Sequence, residues 1–331
     1  MQTQTIGSIS ISAEAILDLH SLNNEGGEGN QIQTRMVEVV VRDPETQELR
    51  VETVNAISGD MFKHIQAEHL FGLAQQNLTL PLCDGCKRFN SNRISIDPDF
   101  RSFIAGKPGA TAVLERILTS CVIDDLEGIL ITEGNQSVAR KSVVEFGWVV
   151  GRPDTTRTGQ FFHVKYNPEQ REQEEDRSGN QGQAIFYRPA SSGVYAIVCN
   201  LELARIGYNN INQGYSISED QRLERHKALI QSVLYTFIRP AGAMRSTQHP
   251  HLVDIRGVVS WSTNTTPAPT LSALNPNFVE ESQRICAALN PDPNNPQIHQ
   301  EVFNGFAELS EILMKLSTTT SPLRLGVARE G

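Results

Sequence analysis

The stretch AISGDMFKHIQAEHLFGLAQQ, residues 56–76, constrains the fold more than any other, because it joins a strong helix signal to an unusual placement of charge. Ser58 stands where an N-cap belongs, and Asp60 lies in the first turn, where the helix dipole favours a carboxylate. Met61, Ile65 and Leu73 fall near one face with Phe62 and His69 beside it, so the spacing predicts a helix packed on an apolar layer. Lys63 and His64 point elsewhere. A cation close to the positive end of a helix gains nothing from the dipole, and its presence suits an anion held by both residues, phosphate being the common one. The alternative is a solvated face.

Around this helix the chain reads as strands and loops. IGSISISAEAILDLHSL, residues 6–22, alternates small polar and apolar residues and reads as a long strand. NNEGGEGN follows as a loop with free backbone N–H groups and little side-chain bulk, able to approach a phosphodiester or simply to turn, and Arg35 is the cation placed to close such a site. Residues 36–41 and LRVETVNAI, joined by DPETQE, make a hairpin.

Length and composition bound the class. A chain of 331 residues, 39% hydrophobic, buries a full core as one large domain or two. No run approaches the ~18 apolar residues of a membrane span, and MQTQTIGSIS lacks the basic and apolar regions of an export signal, so the expected location is cytoplasmic. The net charge of −9 argues against coating nucleic acid through bulk charge, so any such site is local.

Five cysteines, an odd number, argue for thiols or metal ligands over a disulfide framework. Cys83 and Cys86 form a Cys-x-x-Cys with Lys87, Arg88 and Arg93 beside it, either a redox pair or half of a zinc site, and the βαβ setting of a redox pair is missing. Cys121 supplies a third thiol and Asp124 or His69 a fourth ligand, against the alternative of an empty remnant.

Further along, residues 110–133 run from a helix into an apolar strand, and SVVEFGWVVGRPDTT is another strand closed by Arg152 and Pro153. TGQFFHVKYNP and QAIFYRPASSGVYAIVCNLEL are two strands joined by EQREQEEDRSGNQG, which is too polar to pack and is expected as a protruding hairpin tip. Phe161, Phe162, Tyr166, Phe186 and Tyr187 are expected as ordinary strand packing. SISEDQRLERHKALIQSVLYTFI is a second helix capped by Ser218, with a polar face of alternating sign that reads as solvated. Arg239, Gly242, Arg245 and His249 then cluster in a loop before the strand VDIRGVVSW, small residues between cations, as a polyanion backbone needs for close approach. Beyond residue 263 one amphipathic helix, QEVFNGFAELSEILMKLS, and a loose polar tail are expected.

The order SISxxAEAILDLHSLNNEGxEGNQIQTR, ISGDMFKHIQAEHL, LCDGCKRF, CVIDDLEGIL, FFHVKY and IFYRPASSGVYA resembles the DevR-type CRISPR-associated backbone proteins, of the type I-A or I-B kind, over most of residues 6–262. These polymerise along the guide RNA in type I Cascade surveillance complexes. The resemblance implies an α+β fold: a modified RNA-recognition-motif (ferredoxin-like) palm in residues 1–77 and 131–331, a finger insertion in 78–130, and a thumb hairpin at about 155–185. GQFFHVKY faintly echoes the base-stacking strand of such motifs, with Phe162 where a small residue usually stands.

The resemblance implies guide-RNA contacts from Asn24, Gly26, Asn30, Arg35, Ser58, Lys63, His64, Arg152, Arg157, Arg239, Gly242, Arg245, Ser246 and His249. Relatives carry paired cysteine motifs in the finger, implying a structural zinc on Cys83, Cys86, Cys121 and Asp124. Asp124 here takes the place of a last cysteine. The implied partners are CRISPR RNA, further copies of the chain, the large, small, end-capping and RNA-processing Cascade subunits, and target DNA through the guide, with no membrane. Related subunits of other types cut RNA with an acidic residue, and Asp18, Glu25, Glu28 and Asp60 are the candidates here, yet they lack metal-ligand spacing, so no enzyme is expected. A transcriptional autoregulator is the remaining alternative, though no helix-turn-helix stands out.

Overall fold

The computed structural model describes residues 4–43, 45–133, 137–166 and 183–326. Its centre is the strand Ser8–His20, and the alternation of SISISAEAILDLH explains its two faces. Ile9, Ile11, Ala13, Ala15 and Leu17 are buried on one side, where Ala15 and Leu17 meet Phe62, Phe237 and Phe306 from three helices. On the other side Ser10 donates to the Ala268 carbonyl at 3.0 Å and Ser12 accepts from the Leu271 N–H at 2.9 Å. Small hydroxyls are needed there because a chain segment crosses directly over them.

The main sheet runs Ile298–Asn304, His251–Ser262, Ser8–His20, Gln183–Leu201, Val149–Gly151, Leu49–Ile57, Met36–Arg42, with every neighbour along this path antiparallel. The strand Gln183–Leu201 is long enough to pair twice: its later half lies on Ser8–His20, and its earlier half forms a ribbon with Arg157–Tyr166. Val144–Phe146 also pairs with it, so the single strand expected over residues 142–151 is broken at Gly147.

Helices Gly59–Gln76 and Glu219–Ile238 pack side by side, with Gln66 Nε2 donating to Ser232 Oγ at 2.8 Å. Ser58 caps the first from the Met61 N–H, and Ser218 with Gln221 forms a capping box on the second. The buried stripe of the first is Phe62, Ile65, Gln66, Ala67, Leu70 and Ala74, rotated from the expected Met61–Ile65–Leu73 line. The second departs further. Arg222 and Arg225, expected on a solvated face, are completely buried, because distant carbonyls and carboxylates meet them.

The regular structure within residues 78–128 is helical, and the buried side chains of this segment join those of the sheet in one continuous core. Helix Val122–Glu127 links the two, and its three carboxylates face three ways. Asp124 meets the cysteines, Asp125 is held 2.6 Å from both Arg140 and Arg225, and Glu127 lies beneath Lys63.

Four further corrections concern loops and the C-terminal part. The glycine-rich loop is a small hairpin of Asn24–Glu28 and Gln31–Thr34. The helix expected over residues 300–317 begins within the strand Ile298–Asn304, turns at Gly305 with φ +108°, and continues as helix Phe306–Thr319. An unforeseen helix, Phe278–Leu289, precedes it, and Thr320–Pro322 pairs with Gln4–Ile6 where a loose tail was expected. The polar tip of the ribbon, residues 167–182, lies outside the described residues. Among the described residues no helix is long and apolar enough to cross a membrane.

Candidate nucleic-acid groove and cysteine cluster

Helix Gly59–Gln76 runs beside three cavities that share walls. The first, about 320 Å³, lies between Asp60, Lys63 and His64 and the segment bearing Phe89, Asn90 and Arg93, with Glu127 in its wall. The second, about 360 Å³, shares His64 and Phe89 and reaches Gly242 and Arg245. The third, about 660 Å³, is lined by Glu68, His69, Arg239, Arg245, Ser246 and His249. Together they make a groove along the helix, walled by residues 86–93 at one end and 239–249 at the other, and lined in turn by Lys63, His64, Arg239, Gly242, Arg245, Ser246 and His249.

Lys63, Arg93 and Arg245 are engaged within the protein. Lys63 Nζ donates to the Glu127 carbonyl at 2.9 Å, and its removal from water lowers its pKa. Arg93, missed in the site reading, donates to the Gly128 carbonyl at 2.5 Å. Arg245 pairs with Glu68, and His64 lies exposed against Phe89 at 5.6 Å between centroids. Glu127 is fully buried, and burial pushes its carboxyl up to about 7. His69, offered as a metal ligand, instead reaches the Arg239 carbonyl at 3.0 Å and is absent from the cysteine cluster. Gly242 is required for packing: a Cβ there would stand 2.6 Å from the Leu22 carbonyl.

The other expected contacts lie outside these three cavities. Ser58 is buried and occupied as a cap, with its N–H on Asn23 Oδ1 at 2.7 Å. Asn24 accepts from Ser21, and the Asn30 carbonyl accepts from the Tyr187 N–H at 2.8 Å. Gly26 needs its glycine for φ +134°, with open space around it. Arg35 pairs with Glu25 at 2.7 Å over the face of Trp148. Arg152 pairs with Glu14 and Asp154 on the sheet face opposite helices Gly59–Gln76 and Glu219–Ile238, and Arg157 donates to the carbonyls of Pro153 and Thr156. Phe161 and Phe162 are about half exposed, 49% and 56%, and Phe162 packs across the ribbon on Tyr187 at 5.9 Å between centroids.

Cys83, Cys86, Cys121 and Asp124 do meet. All four are buried, and their ligand atoms lie within 4.8 Å of one another. The tight turn at Cys83, which caps helix Asp84–Lys87, brings the first two sulfurs together, and Cys83 Sγ stands 3.4 Å from Asp124 Oδ2. Hydrogen bonds from Cys121 and Cys86 pull the Cys83 thiol down to about 5, while the Cys86 thiol and the Asp124 carboxyl are pushed up by their crowded, buried neighbours. Asp124 Oδ1 has no hydrogen-bond partner among the described residues. Three sulfurs, one carboxylate and an orphaned oxygen fit a tetrahedral zinc, which would relieve this crowding by favouring the ionised forms. Among the described residues this is the one group of His, Cys, Asp and Glu side chains at such spacing; Asp18, Glu25, Glu28 and Asp60 are not gathered.

The fold and the groove define an α+β protein with a large antiparallel sheet and a cation- and imidazole-lined cleft beside one of its helices. Residues 11–283 match the family described as CRISPR-associated negative auto-regulator DevR/Csa2, and the chain belongs to that family. No curated protein matches the chain. Among solved structures it is similar to a chain described as a CRISPR RNA-guided surveillance complex, pre-nicking, at 12% identity and TM-score 0.48, covering 86% of this chain and 90% of that one. A second, described as a CRISPR RNA-guided surveillance complex, is 12% identical at TM-score 0.45, covering 89% and 88%.

Proposed function

We propose that the chain is a non-catalytic guide-RNA-binding backbone subunit of a CRISPR type I Cascade effector complex, polymerising along the CRISPR RNA and displaying it for pairing with target DNA. The observation that carries this reading is the groove, where Lys63, His64, Arg239, Arg245, Ser246 and His249 offer cations, imidazoles and a hydroxyl to an extended anion in an otherwise acidic chain. Membership of a CRISPR-associated family supports the setting.

In this reading the strands Ser8–His20, 144–151, Gln183–Leu201 and His251–Ser262, with helices Gly59–Gln76 and Glu219–Ile238 between them, form a ferredoxin-like palm, a reading supported by the order β-α-β-β-α-β and the antiparallel neighbours. Residues 78–130 are the finger and about 155–185 the thumb. Asn24, Gly26, Asn30, Arg35, Arg152 and Arg157 contact RNA outside the three cavities. A structural zinc on Cys83, Cys86, Cys121 and Asp124 holds the finger together. The partners are the guide, further copies, the other Cascade subunits and target DNA, in a prokaryotic cytoplasm. The ungathered carboxylates favour a scaffold over an RNA-cleaving subunit.

The test is to isolate the protein from its own cells and size the nucleic acid that accompanies it. Small RNA of uniform length is expected. Protein that carries none, or that selects duplex DNA, contradicts the reading; the latter would favour the autoregulator named in the family's description.

A further inference from the structure

Trp148 is a large aromatic side chain held in solvent by a rigid frame. It is 45% exposed, whereas the chain's other tryptophan, Trp261, is buried at 7% and stacks on His299 at 5.5 Å between centroids. Val144–Phe146 and Val149–Gly151 both pair with Gln183–Leu201, and residues 147 and 148 are the step between them. This step is tightly packed. The Gly147 N–H donates to the Val198 carbonyl at 3.0 Å, and a Cβ on Gly147 would collide with the Val198 side chain. A Cβ on Gly59 would stand 2.5 Å from the Phe146 carbonyl, so the step also abuts the first residue of helix Gly59–Gln76. With Val149 paired to Ile57, Trp148 stands at the N-terminal end of the helix that lines the groove.

Arg35 lies against the ring, its Cζ 5.4 Å from the ring centroid, and its Nε is 2.7 Å from Glu25. The backbone beneath is anchored at both ends. The Arg35 N–H donates to the Asn23 carbonyl at 3.2 Å, and the Arg35 carbonyl accepts from the Ala56 N–H at 3.0 Å and from Asn55 Nδ2 at 2.9 Å. Asn55 is buried and accepts in turn from the Tyr195 hydroxyl at 2.8 Å. An indole and a guanidinium fixed in this way lose little freedom when a flat ring settles on them. Because Glu25 offsets the charge of Arg35, the surface offers planar groups more than charge, the chemistry of base stacking and not of phosphate contact. The same carboxylate argues against the core of a protein interface, where Glu is depleted.

We propose that Trp148, with Arg35 beside it, is a stacking platform for a base of the single-stranded guide at the end of the groove. This rests on the guide-RNA reading above and names the residue that contacts a base. Every base has a flat face, so the platform tolerates any sequence and favours purines, whose face is larger.

Tryptophan emission reads the platform directly. The full-length chain, freed of nucleic acid at high salt, is titrated with adenosine and uridine homopolymers while filter retention follows binding in parallel. Emission should be quenched as RNA binds. Trp261→Phe should keep the quench, and Trp148→Phe should lose it while still binding. Trp148→Leu should weaken binding of the adenosine homopolymer by about tenfold, and of the uridine homopolymer by less, with the salt slope unchanged. RNA retained on the filter with no quench in the parent, or a Trp148→Leu variant that binds as tightly as the parent, overturns the platform and leaves the proposed function standing. A quench that grows with protein concentration in the absence of RNA assigns Trp148 to a protein contact and overturns it as well. No RNA retained at any salt concentration contradicts the proposed function, and the platform with it.

Discussion

Glu68 places its carboxylate oxygens 2.7 and 2.9 Å from Nη1 of Arg245, bridging helix Gly59–Gln76 and residues 239–250 across the groove. A phosphate entering there must displace this carboxylate, so the pair lowers RNA affinity while keeping the cation in position. The pair is exposed and therefore weak. Glu68→Gln should tighten RNA binding by about threefold, and Arg245→Ala should weaken it for every sequence and flatten the salt slope by about one unit. In the Arg245→Ala background the Glu68→Gln gain should vanish, as residues acting through one contact require. Filter binding across a salt series reads all three.

Asp125 is the keystone between the helical insertion and the sheet, since it is buried against Arg140 and Arg225 and accepts from the Gly207 N–H at 3.1 Å. Asp125→Asn leaves two guanidiniums buried with one neutral partner and should cost about 3–5 kcal/mol. Urea unfolding checks this: the midpoint should fall with the m-value unchanged.

Burial holds the His226 imidazole neutral, with its pKa lowered from 6.5 to about 4. The unfolded chain therefore binds the extra proton first as pH falls. His226 contributes a stability that is present above pH 6.5 and lost between 6.5 and 4, by about 1.4 kcal/mol per pH unit. Glu127 acts in the opposite sense, since its raised pKa removes stability as pH climbs from 4.5 toward 7. The difference between the parent and His226→Gln isolates the histidine, and that difference should shrink as pH falls. Parallel stability curves would contradict it.

If the cysteine cluster holds zinc, elemental analysis should find about one metal per chain, and Cys83→Ser should lower it while loosening residues 78–130. A metal-free protein with three freely reactive thiols would refute the site.

Local signals made part of this legible. Ser58, Asp60 and Ser218 act within one helical turn of themselves, so the two main helices could be read with their caps, and the hairpin around DPETQE follows from its own turn residues. Cys83, Cys86, Cys121 and Asp124 were legible because the spacing of the two pairs carries the geometry. Arg222 and Arg225 were not. Arg222 has Glu219 one turn away, but the other partners, Ile206, Leu323, Leu118 and Asp125, are far away in sequence, and no periodicity distinguishes a guanidinium met by distant acceptors from one in water. Lys63 and Glu127, 64 positions apart, are half legible: the cation stands out in its helix, whereas nothing local marks its carbonyl partner.

The central claim is that RNA sets the length of a filament of this subunit, and sizing with guides of two lengths tests it most directly. Particle mass should step up with the longer guide and collapse after ribonuclease. A Lys63→Ala, Arg245→Ala double variant should form shorter particles that fall apart at lower salt. A particle whose mass ignores guide length, or a double variant that binds RNA as tightly as the parent at every salt concentration, would contradict the account.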